Sequence, residues 1–218
     1  MKGVVLIGGG TGAQLVFDLC QILSLEVSGY LDDNQENVAE VISSNIEFLG
    51  AFSKLDDTVF VSQYSFVIAI HNIKTRSEIL KQLRSKNASF INLIHPTAII
   101  SPSAKLGQGI IINQYSVVQN GAVLGDAVTI EEQCSVGINV TVGTNVTMAP
   151  QTVFTSNSGC GDNCSFGVRS SLVPNAHIGS GCDVLAGSLV VQSRENNLKL
   201  LGMPARAIGQ SEFGNNSE

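Results

Sequence analysis

The residues with the clearest chemical potential come early. Gly8-Gly9-Gly10-Thr11-Gly12 follows a short apolar run at residues 3–7 and precedes helical periodicity at residues 13–23. A glycine-rich turn that leads from a strand into a helix N-terminus aims several backbone N–H groups at one point. The helix dipole adds partial positive charge there, so the arrangement suits an anion such as phosphate. The spacing is G-x-G-x-x-A, through Gly8, Gly10 and Ala13, with Thr11 inside the turn. About 20 residues on stand Asp32 and Asp33, where a carboxylate reaches a ribose hydroxyl in dinucleotide-binding units. Two readings follow: a nucleotide or nucleotide-sugar site, or a tight turn with no ligand. The segment is too short for two mononucleotide halves, which argues against NAD chemistry.

The elements that must position these groups alternate in type. Residues 3–7 form a continuous apolar run, as a buried parallel strand does, and residues 27–31 read as a second strand that ends in Asp32-Asp33. Residues 66–70 and 90–94 read as further strands, and residues 74–85 as a helix between them. Strands alternating with helices predict a small α/β layer with a parallel sheet over residues 1–96.

From residue 97 to 208 the period changes. Stepping by six from Ile100 gives sixteen consecutive apolar positions, ending at Val190, without a phase slip. Four residues after each comes a small or apolar residue, as at Ala104, Ile110, Ser116 and Ala122. Gly or Asn recurs at the third offset, as at Gly109, Gly121, Asn139 and Asn157, and both tolerate positive φ. A period of six fits neither a sheet nor a helix. It fits a strand plus a corner, three of which close a triangular coil of about 18 residues, the hexapeptide form of parallel β-helix. Burial then accumulates coil upon coil. Residues 209–218 are polar and read as a flexible tail.

This period settles how the sulfur and imidazole groups are read. Cys160 and Cys164 lie in C-G-D-N-C, a spacing open to a metal pair. Cys160, however, falls at the inward apolar position, and Cys134, Cys164 and Cys182 at the inward small position, so all four read as core. Cys20 falls in a helix and reads as packing. His95, in I-H-P, reads as packing and capping, and His177 as an exposed corner residue. No metal site is expected.

Composition bounds the partners. The chain has 218 residues, 44% hydrophobic and 14% charged, with a net charge of −6. No basic stripe offers to neutralise phosphates, so nucleic acid is excluded as a partner. No run of 18 apolar residues predicts membrane insertion. The N-terminus turns glycine-rich too soon for a signal peptide, and five cysteines in that setting predict free thiols in a reducing cytoplasm.

Taken together, the motifs resemble one family. These are L-I-G-G-G-T-G-A-Q at 6–14, G-Y-L-D-D-N at 29–34, F-V-I-A-I at 66–70, I-H-P-T-A at 94–98, the hexapeptide array, and L-G-M-P-A-R-A-I at 201–208. The chain resembles the bacterial sugar acetyltransferases of the sialic acid O-acetyltransferase (NeuD) and bacillosamine N-acetyltransferase (PglD) type. The resemblance implies a Rossmann-like N-terminal domain, a left-handed β-helix, acetyl-CoA as co-substrate, a nucleotide-linked amino sugar as acceptor, and a homotrimer. It implies that Gly8, Gly10 and Thr11 approach the nucleotide, with Asp32 and Asp33 near the ribose or base, and that His71, Asn72 and Arg76 close the pocket. It places Gly167, Ala186 and Gly187 along the pantetheine arm of CoA, and Pro204, Ala205 and Arg206 near the adenine. Lys199, Arg206 and Arg194 are the nearest cations for the CoA phosphates.

The chain departs from the family at one point. The family's general base is a His in an E-H-D/E-C segment. A gapless alignment from Gly109 sets Ile138 at the His position and Asn139 at the orienting acid. A slide by one hexad, which needs a gap, sets Glu132 there instead, within Glu131-Glu132-Gln133-Cys134. Three readings follow: N-acetylation driven by positioning alone, proton removal by Glu132 or Glu131, or a non-catalytic trimeric homologue that binds ligand. A missing base favours an amine over a hydroxyl acceptor, so O-acetylation ranks below N-acetylation. A metal-dependent β-helix hydrolase needs several histidines, and residues 96–176 hold none.

Overall fold

The computed structural model describes residues 2–213. The chain divides between Leu93 and Ile94 into two compact units. The first is an α/β layer. Its strands are β1 (Val4–Ile7), β2 (Val27–Leu31), β3 (Phe48–Gly50), β4 (Ser65–Ile68) and β5 (Ser89–Phe90), in sheet order β3-β2-β1-β4-β5 and all parallel. The four residues of β1 are buried on both faces, which is why that segment is uninterrupted in apolar character. Helix α1 (Thr11–Ile22) buries Ala13, Val16, Phe17, Leu19 and Cys20, the 3.6-residue stripe visible in the sequence. Helices α2 (Glu40–Asn45) and α3 (Thr58–Gln63) are one to two turns long, too short to leave a periodic signal. Helix α4 (Ile73–Ser85) begins at an Asn72 cap. The strand read at 90–94 is broken in two, into Ser89–Phe90 and Leu93–Ile94.

The second unit is a triangular parallel β-helix. Two-residue strands recur every six residues, and every third one pairs in parallel, so Val118, Val136, Phe154, Leu172 and Val190 stack in one file. Three sheets of such strands form the faces. Of the sixteen inward positions, Ile112 through Val190 are buried, while Ile100 and Leu106 are half-buried in the first coils. The second inward position of each hexad is buried as well, from Ile110 to Ser188.

Fourteen consecutive corners, from Gly109 to Gly187, have φ between 53° and 70°. Gly and Asn occupy nine of them, as the sequence predicts. The other five are Tyr115, Ala127, Gln133, Gln151 and Arg169. An L-residue there costs about 1 kcal/mol, so the coil-to-coil pairing must over-determine the corner.

The interior of the prism has a fixed cross-section, and its residues compensate in volume. Phe154 and Phe166 meet edge to face with centroids 4.6 Å apart, and the neighbouring inward positions shrink to Thr152, Ser158, Cys164 and Ser170. Most of these hydroxyls are satisfied: Thr152 Oγ1 donates to Ala149 O at 2.6 Å and Ser158 Oγ to Thr155 O at 2.6 Å. Ser170 Oγ is buried without a hydrogen-bond partner among the described residues. The array closes with an antiparallel hairpin, Leu198–Gly202 and Ala205–Gln210. The tail read from residue 209 is ordered in its first residues: Ser211 is buried, and its hydroxyl donates to Gly181 O. Residues 214–218 lie outside the described residues.

Two substitutions test this core in opposite directions. Phe154→Ala should lower unfolding free energy by about 3–5 kcal/mol. Ser170→Ala should leave it unchanged or raise it by about 1 kcal/mol, because the orphaned hydroxyl is removed. Urea denaturation reads both.

Candidate functional site

In the first unit the glycine turn forms one wall of a cleft of about 280 Å³, lined by Gly8, Gly10, Thr11, Gly12, Asp32, Phe52, Ala69, Ile70, His71 and Thr75. Each glycine has its own reason. Gly8 has φ +100°, and a Cβ on it would meet Ile70 Cγ1 at 2.8 Å. A Cβ on Gly12 would stand 2.6 Å from His71 Nε2, so the imidazole lies across the start of α1. Gly10, the N-cap of α1, has φ −72°, and the nearest atom to a Cβ there is Asn37 O at 3.8 Å. Neither strain nor crowding within the chain requires glycine at that point, and its bareness lets another molecule approach the backbone. No side chain caps α1 and no acid stands in its first turn. Ala13 N donates to Gly10 O at 2.9 Å, and the N–H groups of Thr11 and Gly12, on the cleft lining, have no capping side chain, which favours an anion.

The two aspartates serve the loops. Asp32 Oδ2 accepts from Gly9 N at 2.6 Å and Oδ1 from Asn34 N at 2.8 Å. Its carboxylate thus holds the glycine turn in shape while lining the cleft. Asp33 Oδ1 accepts from Phe52 N at 2.7 Å and fixes the short helical turn Phe52–Asp56. That turn brings Phe52 into the cleft lining, a placement the sequence did not reveal, since nothing in F-S-K-L-D marks it. Asn72 Oδ1 is engaged by Thr75 N at 2.9 Å and Thr75 Oγ1 at 3.1 Å. Arg76 is 3% exposed on α4 and is absent from the cleft lining.

In the second unit Ile138 is 45% exposed beside the Asn139 corner. Asn139 Nδ2 donates to Asn157 Oδ1 at 3.3 Å, one coil on. Glu132 stands six residues away, beside the Gln133 corner, and hence at a different edge of the prism. The structure does not bring Glu132 together with Ile138 and Asn139. Besides Ser156 one coil later, the file of Ile138 carries Asn120 one coil earlier, whose Oδ1 accepts from Ser101 Oγ at 2.7 Å. Sequence reasoning passed over it, because only the closed coil places residues 18 apart side by side.

The residues matched to the CoA segment fall into two groups. Gly167, Ala186 and Gly187 sit together on successive coils: a Cβ on Gly167 would meet Ala186 N at 2.5 Å, and Gly187 has φ +68° with open space around it. In the closing hairpin, Lys199, Pro204 and Arg206 are exposed, whereas the Ala205 side chain is buried in the β-helix core. Arg194 is committed, its Nη2 donating to Ala205 O at 3.2 Å.

All five cysteines are buried and free. Burial pushes the Cys20 thiol up to about 11 and the Cys134 thiol up to about 12. Cys164 is raised by its hydrogen-bond contact with Cys160 and by burial, and Cys182 by its contact with Cys164 and by burial. They are core thiols. No cluster of three or more His, Cys, Asp or Glu suited to a metal ion occurs among the described residues. His95 caps the following turn, its Nδ1 accepting from Thr97 N at 3.1 Å. No helix among the described residues is long and apolar enough to cross a membrane.

A glycine-turn α/β unit joined to a hexapeptide β-helix is the architecture of nucleotide-sugar acyltransferases, and the β-helix is of the left-handed kind. Residues 3–83 match the PglD N-terminal domain family. The chain is 29% identical over 116 residues to the UDP-N-acetylbacillosamine N-acetyltransferase of Bacillus subtilis (strain 168), a match spanning 51% of each chain. That is about half the length of the curated relative. Among solved structures, PerB from Caulobacter crescentus, in complex with CoA and GDP-perosamine, superposes with a TM-score of 0.87 at 25% identity, over 96% of this chain and 98% of that one. The acetyltransferase domain of PglB from Neisseria gonorrhoeae FA1090 superposes with a TM-score of 0.88 at 24% identity, over 95% of this chain and 100% of that one. These matches support the resemblance to PglD-type sugar acetyltransferases read from the motifs.

The thiols give a signed pH prediction. Folded Cys20 and Cys134 stay protonated while the unfolded chain ionises above the ordinary value of 9.0. Stability should therefore hold up to pH 9 and fall as pH rises toward 11. Thermal melts between pH 8 and 11 read this, and Ellman's reagent should label no thiol at pH 8 until denaturant is added.

Proposed function

We propose that this chain transfers the acetyl group of acetyl-CoA to the amino group of a nucleotide-linked deoxyamino sugar, in surface-glycan synthesis, as a cytoplasmic homotrimer. The observation that carries this reading is the near end-to-end superposition on PerB, whose structure holds both CoA and GDP-perosamine. The uncapped start of α1, open to the cleft at Gly10 and Thr11, supports a nucleotide phosphate there, and Phe52 supplies an aromatic face for the base or sugar. Gly167, Ala186 and Gly187 form the bare edge along which a pantetheine arm can lie.

The chemistry asks little of the protein. A neutral amine attacks the thioester carbonyl, a C–N bond forms, the C–S bond breaks, and the amine's proton leaves with the CoA sulfur or solvent. With Ile138 where the family holds its base, the chain works by holding the amine against the thioester. An amine tolerates the loss of a general base, typically ~10²–10⁴-fold, better than a hydroxyl does.

CoA thiol release from acetyl-CoA with GDP-perosamine, or with a UDP-linked deoxyamino sugar, tests the reading. Turnover above a no-enzyme control is expected, and Ile138→His should raise kcat by about tenfold or more. A chain that binds CoA and the nucleotide yet releases no thiol with either acceptor would leave the non-catalytic reading in its place.

A further inference from the structure

One edge of the prism differs from the other two. Its corners are Tyr115, Gln133, Gln151, Arg169 and Gly187, while the remaining edges carry only Gly, Ala or Asn. Long side chains are disfavoured at positive φ, and four stand in succession here. Three are wired together. Gln151 Nε2 donates to Gln133 Oε1 at 2.9 Å, and Arg169 Nε donates to Gln151 Oε1 at 2.6 Å.

The ladder uses only the Nε of Arg169. Among the described residues both terminal nitrogens, with four N–H donors, have no hydrogen bond and no ion pair, and the residue is exposed. The cations of the second unit are Lys105, Arg169, Arg194, Lys199 and Arg206. Arg194 spends its terminal nitrogens on Gln192, Ser193 O and Ala205 O. Arg169 is the one whose head is oriented by another side chain and yet left open. The next corner along the edge is Gly187, where a Cβ would find nothing within 4 Å. The Nε bond turns the Arg169 side chain toward the Gln151 coil, and on the Gly187 side no side chain covers the corner. A guanidinium with free terminal nitrogens matches the paired oxygens of a phosphate.

We infer that Arg169 anchors a phosphate group of a ligand lying along this edge, oriented for it by Gln151 and Gln133. Because Gly167, Ala186 and Gly187 occupy the same stretch, the source is a phosphate of CoA, an assignment that rests on the transferase reading. Arg169 is a binding residue and touches no reacting atom.

Calorimetry on the full chain with CoA, dephospho-CoA, pantetheine and UDP tests this. Arg169→Gln continues the amide ladder that Gln133 and Gln151 already hold at the same backbone geometry, so it should fold as the wild type, with an unchanged melting temperature. Its CoA Kd should rise about tenfold or more, with pantetheine binding unchanged. If the loss vanishes with dephospho-CoA, the contact is to the 3′-phosphate; if it persists, to the diphosphate. Gln151→Leu, which frees the guanidinium but keeps its charge, should give a smaller loss. Equal CoA binding by Arg169→Gln and wild type overturns the inference, as does an equal loss with pantetheine. A loss confined to UDP overturns CoA as the source. A wild-type chain that binds CoA but transfers nothing removes the transferase reading and leaves the anchor standing. A wild-type chain that binds neither CoA nor UDP removes both.

Discussion

The second unit depends on one hydrogen-bond relation repeated along its length. The amide of a strand residue donates to the carbonyl seventeen residues on, as Ile99 N does to Ser116 O and Val117 N to Cys134 O. At the corners the amide donates back nineteen residues, as Gln133 N does to Gln114 O and Asn139 N to Asn120 O. Together they impose an eighteen-residue repeat. Every corner must then turn through positive φ, every sixth residue must face inward, and residues eighteen apart must touch. Each candidate position in the β-helix inherits its neighbours from that repeat and from nothing local.

The same relation separates what could be read from the chain and what could not. The inward positions from Ile100 to Val190 are a one-dimensional signal, since each is apolar whatever its neighbours are, and Asn139 and Asn157 announce their corners because Asn tolerates positive φ. Gln133, Gln151 and Arg169 announce nothing. Their presence at corners makes sense only as a ladder between coils, a contact across eighteen residues that no local propensity carries. In the first unit, the glycine turn and β2 were legible because buried parallel strands and phosphate-type turns have strong residue demands. Helices α2 and α3 were not, because one or two turns cannot show a period. Phe52 reaches the cleft through a backbone bond to Asp33, again a contact between distant residues.

The two units divide the chemistry as their elements allow. A helix N-terminus set in a glycine turn offers uncommitted N–H groups, and Asp32 holds that turn open through Gly9 N. The prism offers long straight edges of fixed pitch, suited to an extended molecule. Ile138 puts an exposed apolar side chain beside the Asn139 corner, one that cannot accept a proton. A reaction that still proceeds on such an edge must draw on placement.

Removing one whole coil is the most direct test of the repeat. Deleting residues 123–140 joins Ala122 to Thr141, the partner file of Val123, and keeps every later residue in phase. That chain should retain its β-type circular dichroism and melt cooperatively, as stacked repeats do when one is lost. Deleting residues 123–139 instead turns every later inward residue outward, and should abolish cooperative melting. Equal behaviour of the two deletions would contradict the account.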